Sequence, residues 1–455
     1  MPEMTLDQAR ALADQQMRTG QFADAETVCR QILAAVPHDD VTLSLLAQLR
    51  FRAGAFDEAI QSLRRAVELR PDNAGHQSNL GIIYSTLGQF DIAIAHFEQA
   101  LRLLPSFPEA RNNLGNALRE TGNYAEAEKQ FRAALTARPD YADARWNLGF
   151  VLLARGDFAD GWPAYEARLK MPGVPNRALA RPMWDGSPLR GGTILLHAEQ
   201  GIGDTFNFIR YTPMVAAQGA RVLVLVQPAV HRLLKHQALG VEQWLADGNA
   251  LPPFDVHCPL MSLPGLFGTT MQTIPPQSPP ITADPELAAF WKHRIVGDSG
   301  KLKVGLVWAG NQFPPHNRKR SMTPEAMLPL ANIPGVSFHS LQKGASPPIS
   351  ATASALRLND FASSLGDFAD TAALIDGLDL VITVDTGVAH LAGAMAKPTW
   401  VLLPSVPDWR YFLDRTDSPW YPSMRLFRQS TAGDWATPMN AVATELRLWA
   451  ERSKP

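Results

Sequence analysis

Gly20, Gly54, Gly88, Gly122 and Gly156 recur at a step of 34 residues through the first third of the chain. Pro37, Pro71, Pro105 and Pro139 keep the same step, as do the aromatic residues Phe22, Phe56, Phe90, Tyr124 and Phe158. A fixed period of this length constrains the fold more than any other feature of the sequence, because it describes helix pairs stacked into a solenoid. Each pair is too small to bury its own apolar face, so stacking supplies the core and leaves a long concave surface suited to a peptide or another protein.

The glycine phase starts the units near Leu6, Asp40, Ala74, Pro108 and Ala142, about five tetratricopeptide-like repeats. Asn79-Leu80-Gly81, Asn113-Leu114-Gly115 and Asn147-Leu148-Gly149 recur on the first helix of a unit, and Ala93/Phe97/Ala100 and Ala127/Phe131/Ala134 on the second. The Leu and Phe positions are core, and the Gly and Ala positions let helices approach closely. The prolines end each second helix, since they lack the N–H and disfavour helix in the residue before them. The last unit departs from the pattern after Phe158, placing Gly161 where Ala is expected and running into Trp162, Tyr165 and Arg168, an ending that caps the array.

A chain of 455 residues allows two to four domains. Its formal net charge of −2, with no long Lys or Arg run, argues against a phosphate-tracking nucleic-acid surface. Cys29 and Cys258 show no metal spacing, so neither a zinc site nor a disulfide framework is expected. Glu3, Asp7 and Asp14 stand where a secretory signal needs a positive start and an apolar block, and no apolar stretch reaches membrane-spanning length. The expectation is a soluble, cytoplasmic protein in a reducing compartment.

The expected organisation is a solenoid over residues 1–170, a Pro- and Gly-rich linker over 171–190, and two α/β domains over 191–285 and 286–455. Thr193–His197 and Arg221–Val226 read as strands flanking a glycine turn and a helix, and Val304–Trp308, Val336–Leu341, Leu380–Val384 and Thr399–Leu403 as strands of a second series. A helix is expected over Gly387–Ala396 and a closing helix from Pro438 to about Glu451. The prolines between Ile274 and Pro285 mark the crossing between the two halves. Two Rossmann-like halves imply a ligand cleft facing the carboxyl ends of the strands.

Four groups of residues can carry chemistry. Gly201-Ile202-Gly203-Asp204 follows a strand and opens a helix, so its backbone suits close approach of a polar ligand. Asp204 there is either a helix cap or a general base facing the cleft. Asp385-Thr386-Gly387-Val388-Ala389-His390 occupies a second strand-to-helix junction, where the Thr hydroxyl and the first amides can meet phosphate oxygens; His390 is either part of that site or a core histidine. Asn317-Arg318-Lys319-Arg320 and Gln342-Lys343 place cations after strands of the second half, able to offset leaving-group charge without a metal, although Lys319 reads as a surface turn. No Asp-x-Asp pair supports a divalent-metal site. Asn79, Asn113 and Asn147 share one phase of successive repeats and form either a track for a polypeptide backbone or structural amides bonding neighbouring helices. Ala11 and Leu45 fill that phase in the first two units, which limits any track to the later ones.

On these residues the chain resembles tetratricopeptide repeats fused to a GT-B glycosyltransferase. The second half is similar to the heptosyltransferase-like group, glycosyltransferase family nine, over roughly Gly192–Arg428: Gly201–Asp204 is similar to its N-terminal motif, and Asp385–His390 with Lys397-Pro398 to its C-terminal one. The resemblance implies Asp204 as the base, and Asp385, Thr386, Gly387 and Lys343, with Arg318 and Arg320, as donor-binding residues; Gly201, Gly203 and His390 are expected to join them from their places in the two strand-to-helix junctions. The layout also resembles the repeat-bearing bacterial flagellin glycosyltransferases, which implies flagellin Ser/Thr as acceptor and a nonulosonic acid carried on CMP as donor. The asparagine ladder is similar to that of the O-GlcNAc transferases, but their histidine motifs are not evident here, so a UDP-GlcNAc donor does not follow. The expected function is inverting, metal-independent and cofactor-free sugar transfer to a protein recruited by the repeats. The alternatives are transfer to lipopolysaccharide or another glycan, and a scaffold that binds nucleotide-sugar without turnover.

Overall fold

The computed structural model describes residues 4–171, 179–295, 301–310, 319–344 and 350–452. The chain divides into two compact units, Met1–Val151 and Leu152–Pro455.

The first unit is built from helix pairs: α1 (Leu6–Arg18) and α2 (Phe22–Ala35), α3 (Asp40–Arg52) and α4 (Phe56–Leu69), α5 (Ala74–Thr86) and α6 (Phe90–Leu103), α7 (Pro108–Glu120) and α8 (Tyr124–Ala137), then α9 (Ala142–Ala154), which runs across the division. The first helix of every pair begins at the residue that the glycine phase marks. The repeating glycines sit in the turn between partners with φ from 75° to 82°, a conformation that costs a residue with a Cβ. Gly81 and Gly115 have a different purpose. A Cβ on either would stand 2.6 Å from the ring of Phe97 or Phe131, both fully buried, so the bare backbone is the seat for the ring. Gly115→Ala is therefore expected to destabilise the array by about 1–3 kcal/mol, read as a lower urea midpoint at unchanged slope.

The second unit opens with α10 (Phe158–Tyr165) and a 3₁₀ turn, Glu166–Lys170. The division at Val151/Leu152 falls before the solenoid boundary expected at residue 170 and leaves α10 in the second unit, where its aromatic face packs into the α/β region. Phe158 lies 6.1 Å from Phe412 and 6.5 Å from Trp420 between ring centroids, and Trp162 lies 5.4 Å from Trp409.

The first sheet comprises β1 (Thr193–His197), β2 (Arg221–Val226), β3 (Gln243–Ala246) and β4 (Val256–Pro259), with α11 (Ile202–Phe208), α12 (Thr212–Ala216), α13 (Pro228–Leu234) and α14 (Leu263–Leu266). Its order is β3-β2-β1-β4, parallel throughout. The expected linker is partly structure: Met183 bridges to His257, and the Trp184 N–H donates to the His257 carbonyl at 2.7 Å, so this stretch runs along β4 and buries Trp184.

After α15 (Pro285–Arg294), the second sheet holds β5 (Leu302–Val307), β6 (Val336–Ser340), β7 (Asn359–Asp360), β8 (Leu380–Val384), β9 (Thr399–Leu403) and β10 (Met424–Arg428), with α16 (Ser350–Leu356), α17 (Phe368–Asp376), α18 (Gly387–Ala394) and α19 (Ala436–Arg452). The order is β10-β9-β8-β5-β6-β7, again parallel. Parallel strands covered on both faces need continuous apolar runs, and every residue of β8 and β9 is buried. The strand order reverses between β5 and β8, and in the first sheet between β1 and β4. Crevices open at such switch points, beyond the carboxyl ends of the strands.

Candidate active site

Gly201 is the N-cap of α11, and Asp204 is its third residue. One carboxylate oxygen of Asp204, Oδ2, accepts the Gly201 N–H at 2.8 Å, so the capping reading holds. The other oxygen, Oδ1, turns outward and accepts from Arg410. Arg410 sits on a 3₁₀ turn, Trp409–Tyr411, in the long segment between β9 and β10. Its Nη1 donates to Asp408 Oδ1 at 2.8 Å, and its guanidinium lies 4.3 Å from the centre of the Trp409 ring. The Asp204 side chain keeps 20% exposure against 5% for Arg410, which leaves the carboxylate approachable. Burial pushes the Asp204 carboxyl above the ordinary aspartate range, against the pull of Arg410. At Asp408 burial also acts upward, but Arg410 outweighs it and holds that carboxyl below its usual value.

Asp385 follows β8 at the switch point of the second sheet. Its Oδ1 accepts the Tyr411 hydroxyl at 2.9 Å and its Oδ2 accepts Arg320 Nη1 at 3.3 Å. Thr386 is the N-cap of α18 but makes no side-chain cap, sharing its hydroxyl instead with Thr383 at 3.2 Å. The first amides of α18, ahead of its first intrahelical bonds, suit an anion at Gly387. His390 is buried one turn in, with Nδ1 3.3 Å from the Tyr421 hydroxyl and Nε2 3.8 Å from Asp385 Oδ1. Burial takes its pKa down to about 4, so the ring is neutral near pH 7.

The two motifs meet. A Cβ on Gly203 would stand 2.6 Å from the His390 ring, and one on Gly387 would stand 3.4 Å from Ile202 Cγ2. The close approach expected of Gly203 toward a donor is therefore spent on His390, and the crevice between the halves is closed at that point. Asp204 and Asp385 nonetheless face one shared cluster, since consecutive residues Arg410 and Tyr411 hold them.

Other expected residues are placed less directly. Arg320 reaches Asp385, whereas Arg318 lies outside the described residues. Lys343 is exposed and donates its Nζ to the Gly366 carbonyl, so phosphate contact would require it to exchange partners. The adjacent Gln342 is buried: its Oε1 accepts the Trp308 and Ala309 N–H groups at 3.2 and 3.0 Å, and its Nε2 donates to the Ala309 carbonyl at 3.0 Å. That clamp fixes the backbone leading to Gly310 at the switch point.

In the first unit two of the three aligned asparagines bond between repeats. Asn79 Nδ2 donates to Ser44 Oγ at 3.2 Å, and Asn147 Nδ2 to Asn112 Oδ1 at 2.9 Å, so both amides bond the preceding repeat. Asn113 shares their phase, but its neighbour Asn112 makes the inter-repeat bond. A cavity of about 650 Å³ in this unit is lined by Leu43, Asp57, Ile60, Gln61, Arg64 and Tyr84 among others, and by none of the three asparagines.

The residues that sequence reasoning missed come from one segment, 404–423. Besides Asp408, Arg410 and Tyr411, it supplies Trp420, whose carbonyl accepts Arg210 Nη1 at 2.6 Å, and Tyr421, whose ring lies 4.6 Å from the Arg210 guanidinium. Its length and its clustered Trp, Tyr, Arg and Asp between two strands were the available signal, since long loops in compact domains are usually functional.

The profile of glycosyltransferase family 9 (heptosyltransferase) matches residues 365–403, which contain α17, β8, α18 and β9. Tetratricopeptide-repeat profiles match residues 40–106, 78–142 and 114–175. Protein FlbA of Caulobacter vibrioides is 27% identical over 321 residues, which cover 64% of this chain and 52% of FlbA. The chain therefore spans about half the length of that curated relative. Among solved structures, MamA is 21% identical over 37% of this chain and 95% of its own, with a TM-score of 0.32. PilW, a type IV pilus biogenesis factor, is 23% identical over 36% of this chain and 77% of its own, with a TM-score of 0.34. Among the described residues no helix is long and apolar enough to cross a membrane. By its two sets of matches and its two architectures, the chain joins tetratricopeptide repeats to a glycosyltransferase family 9 domain.

Proposed function

We propose that the chain is an inverting, metal-independent O-glycosyltransferase that transfers a sugar from a nucleotide donor to Ser or Thr of a protein recruited by its repeats. The acceptor proposed is flagellin, the donor a CMP-linked nonulosonic acid, and the compartment the cytoplasm. The observation that carries the reading is the convergence of Asp204 and the Asp385-led start of α18 on the Arg410–Tyr411 turn. A carboxylate raised by burial is suited to accept a proton near neutral pH.

In the reaction the acceptor hydroxyl oxygen forms a bond to the anomeric carbon while the bond from that carbon to the phosphate oxygen breaks. The hydroxyl proton passes to Asp204, and the electron pair leaves with the phosphate. Arg320 and the first amides of α18 supply positive potential where that charge grows. Lys343 joins them on releasing the Gly366 carbonyl.

A glycan acceptor has the printed description of the matched family, heptosyltransferase, in its favour. Co-expression with flagellin followed by intact-protein mass spectrometry separates the readings. The expected result is a flagellin mass increment of one or more sugar residues. An unmodified flagellin with a modified lipopolysaccharide fraction would favour the glycan acceptor, and no change in either fraction would favour a non-catalytic scaffold.

A further inference from the structure

Arg168, in the turn after α10, has a fully buried side chain. Taking a guanidinium out of water costs several kcal/mol and needs close compensation. Here Nη2 donates at 2.8 Å to both Glu199 Oε1 and Ser262 Oγ, while Nη1 donates to Glu166. Ser262 Oγ in turn donates to Glu166 Oε2 at 2.9 Å. The Glu199 side chain is itself 1% exposed. Apolar residues of the same volume would bind these elements at least as firmly, so adhesion alone does not account for the ions.

The ion pair adjoins the loop that presents Asp204. Glu199 lies two residues before Gly201, whose N–H fixes the Asp204 carboxylate. Gln227, just beyond β2, holds the same loop from another side: its Nε2 donates to the Gln200 carbonyl at 3.0 Å and its Oε1 accepts the Thr205 hydroxyl at 2.8 Å. The partner of Asp204 is held from α10 as well. Trp162 and Tyr165 pack edge-on against Trp409, the residue before Arg410, with centroids 5.4 and 5.8 Å apart. The Trp162 indole N–H is pinned to the Thr269 carbonyl at 2.9 Å.

We infer that Arg168, acting through Glu199, is a positioning residue that aims the loop presenting Asp204, which makes the segment Leu152–Lys170 a working part of the transferase centre. The inference rests on the proposed role of Asp204 as base.

The test uses the full chain carrying Arg168→Met and Glu199→Leu together, which removes the buried ions while keeping the volume. Amide hydrogen exchange over Gly201–Phe208 is expected to quicken by about tenfold, with exchange in α18 and the melting temperature little changed. With flagellin as acceptor and the CMP-linked donor, kcat is expected to fall about tenfold at unchanged donor KM. Unchanged exchange over Gly201–Phe208 overturns the inference, as does faster exchange with wild-type kcat. If the pair of substitutions prevents folding, Glu199→Gln is measured the same way, with about fivefold faster exchange expected and none overturning it. Wild-type transfer by Asp204→Asn would instead remove the role of Asp204 as base, and the exchange result would still report on whether Arg168 orders the loop.

Discussion

Asp204→Asn is expected to lower kcat by about 100- to 10,000-fold while nucleotide binding is kept. The substitution preserves shape, and the remaining amide oxygen can still accept the Gly201 N–H, so α11 keeps its cap. It removes the group that takes the proton and, with the amide oxygen on the Gly201 N–H, sets an NH2 donor against the Arg410 guanidinium in place of the ion pair. Folding stability should fall by only about 1–3 kcal/mol. Single-turnover transfer with the mutant separates chemistry from binding, and wild-type turnover would leave Asp204 as a cap alone. The acid limb of the wild-type pH profile should lie above the ordinary aspartate range, because burial raises this carboxyl and the base must be ionised to act. The same shift bears on stability with the opposite sense. A carboxyl raised on folding contributes stability that is fully present below its unfolded value and lost as pH rises through the folded one, so the active ionisation state is the less stable one.

Much of this architecture is legible in the sequence because it repeats or runs in one dimension. Helices α1 to α10 begin where the 34-residue phase places them, since each repeat meets the same neighbours and keeps the same turn glycine. Strands β1, β2, β5, β6, β8 and β9 show as apolar runs because parallel strands are covered on both faces. The two Gly/Asp motifs stand out as strand-to-helix junctions. What links them does not stand out: Arg410 meets Asp204 across 206 residues of sequence, from a segment with no period to betray it. The partners of the aligned asparagines were hidden for a related reason. Period tells which side chains align along the array, but Ser44 and Asn112, which take those amides, sit outside the phase on the adjoining repeats. Arg168 was visible only as a departure from the repeat. Its partner Glu199 lies in the other half of that contact, beyond the segment 171–190, and no local pattern announces it.

Arg410→Met should cost about 3–5 kcal/mol of stability at neutral pH and move the acid limb of kcat further upward. The wild-type guanidinium lies between Asp204 and Asp408, so removing it leaves two partly buried carboxylates without their cation, and proton uptake becomes the cheapest relief. Asp408, held low in the wild type, contributes stability present above the ordinary carboxylate value and lost as pH falls through its depressed value. Asp204, raised already, should rise more once the opposing pull of Arg410 is gone. Both changes make the variant bind protons more readily than the wild type, so the gap in melting temperature should narrow as pH falls from about 7 toward about 4.5. Arg410→Lys restores a charge but not the fork that spans two carboxylates, and should bring back the position of the acid limb more completely than the rate. A melting gap independent of pH would show that the Arg410 side chain serves the packing of Trp409 and Phe208 rather than the charge of Asp204, because loss of apolar contact carries no proton dependence.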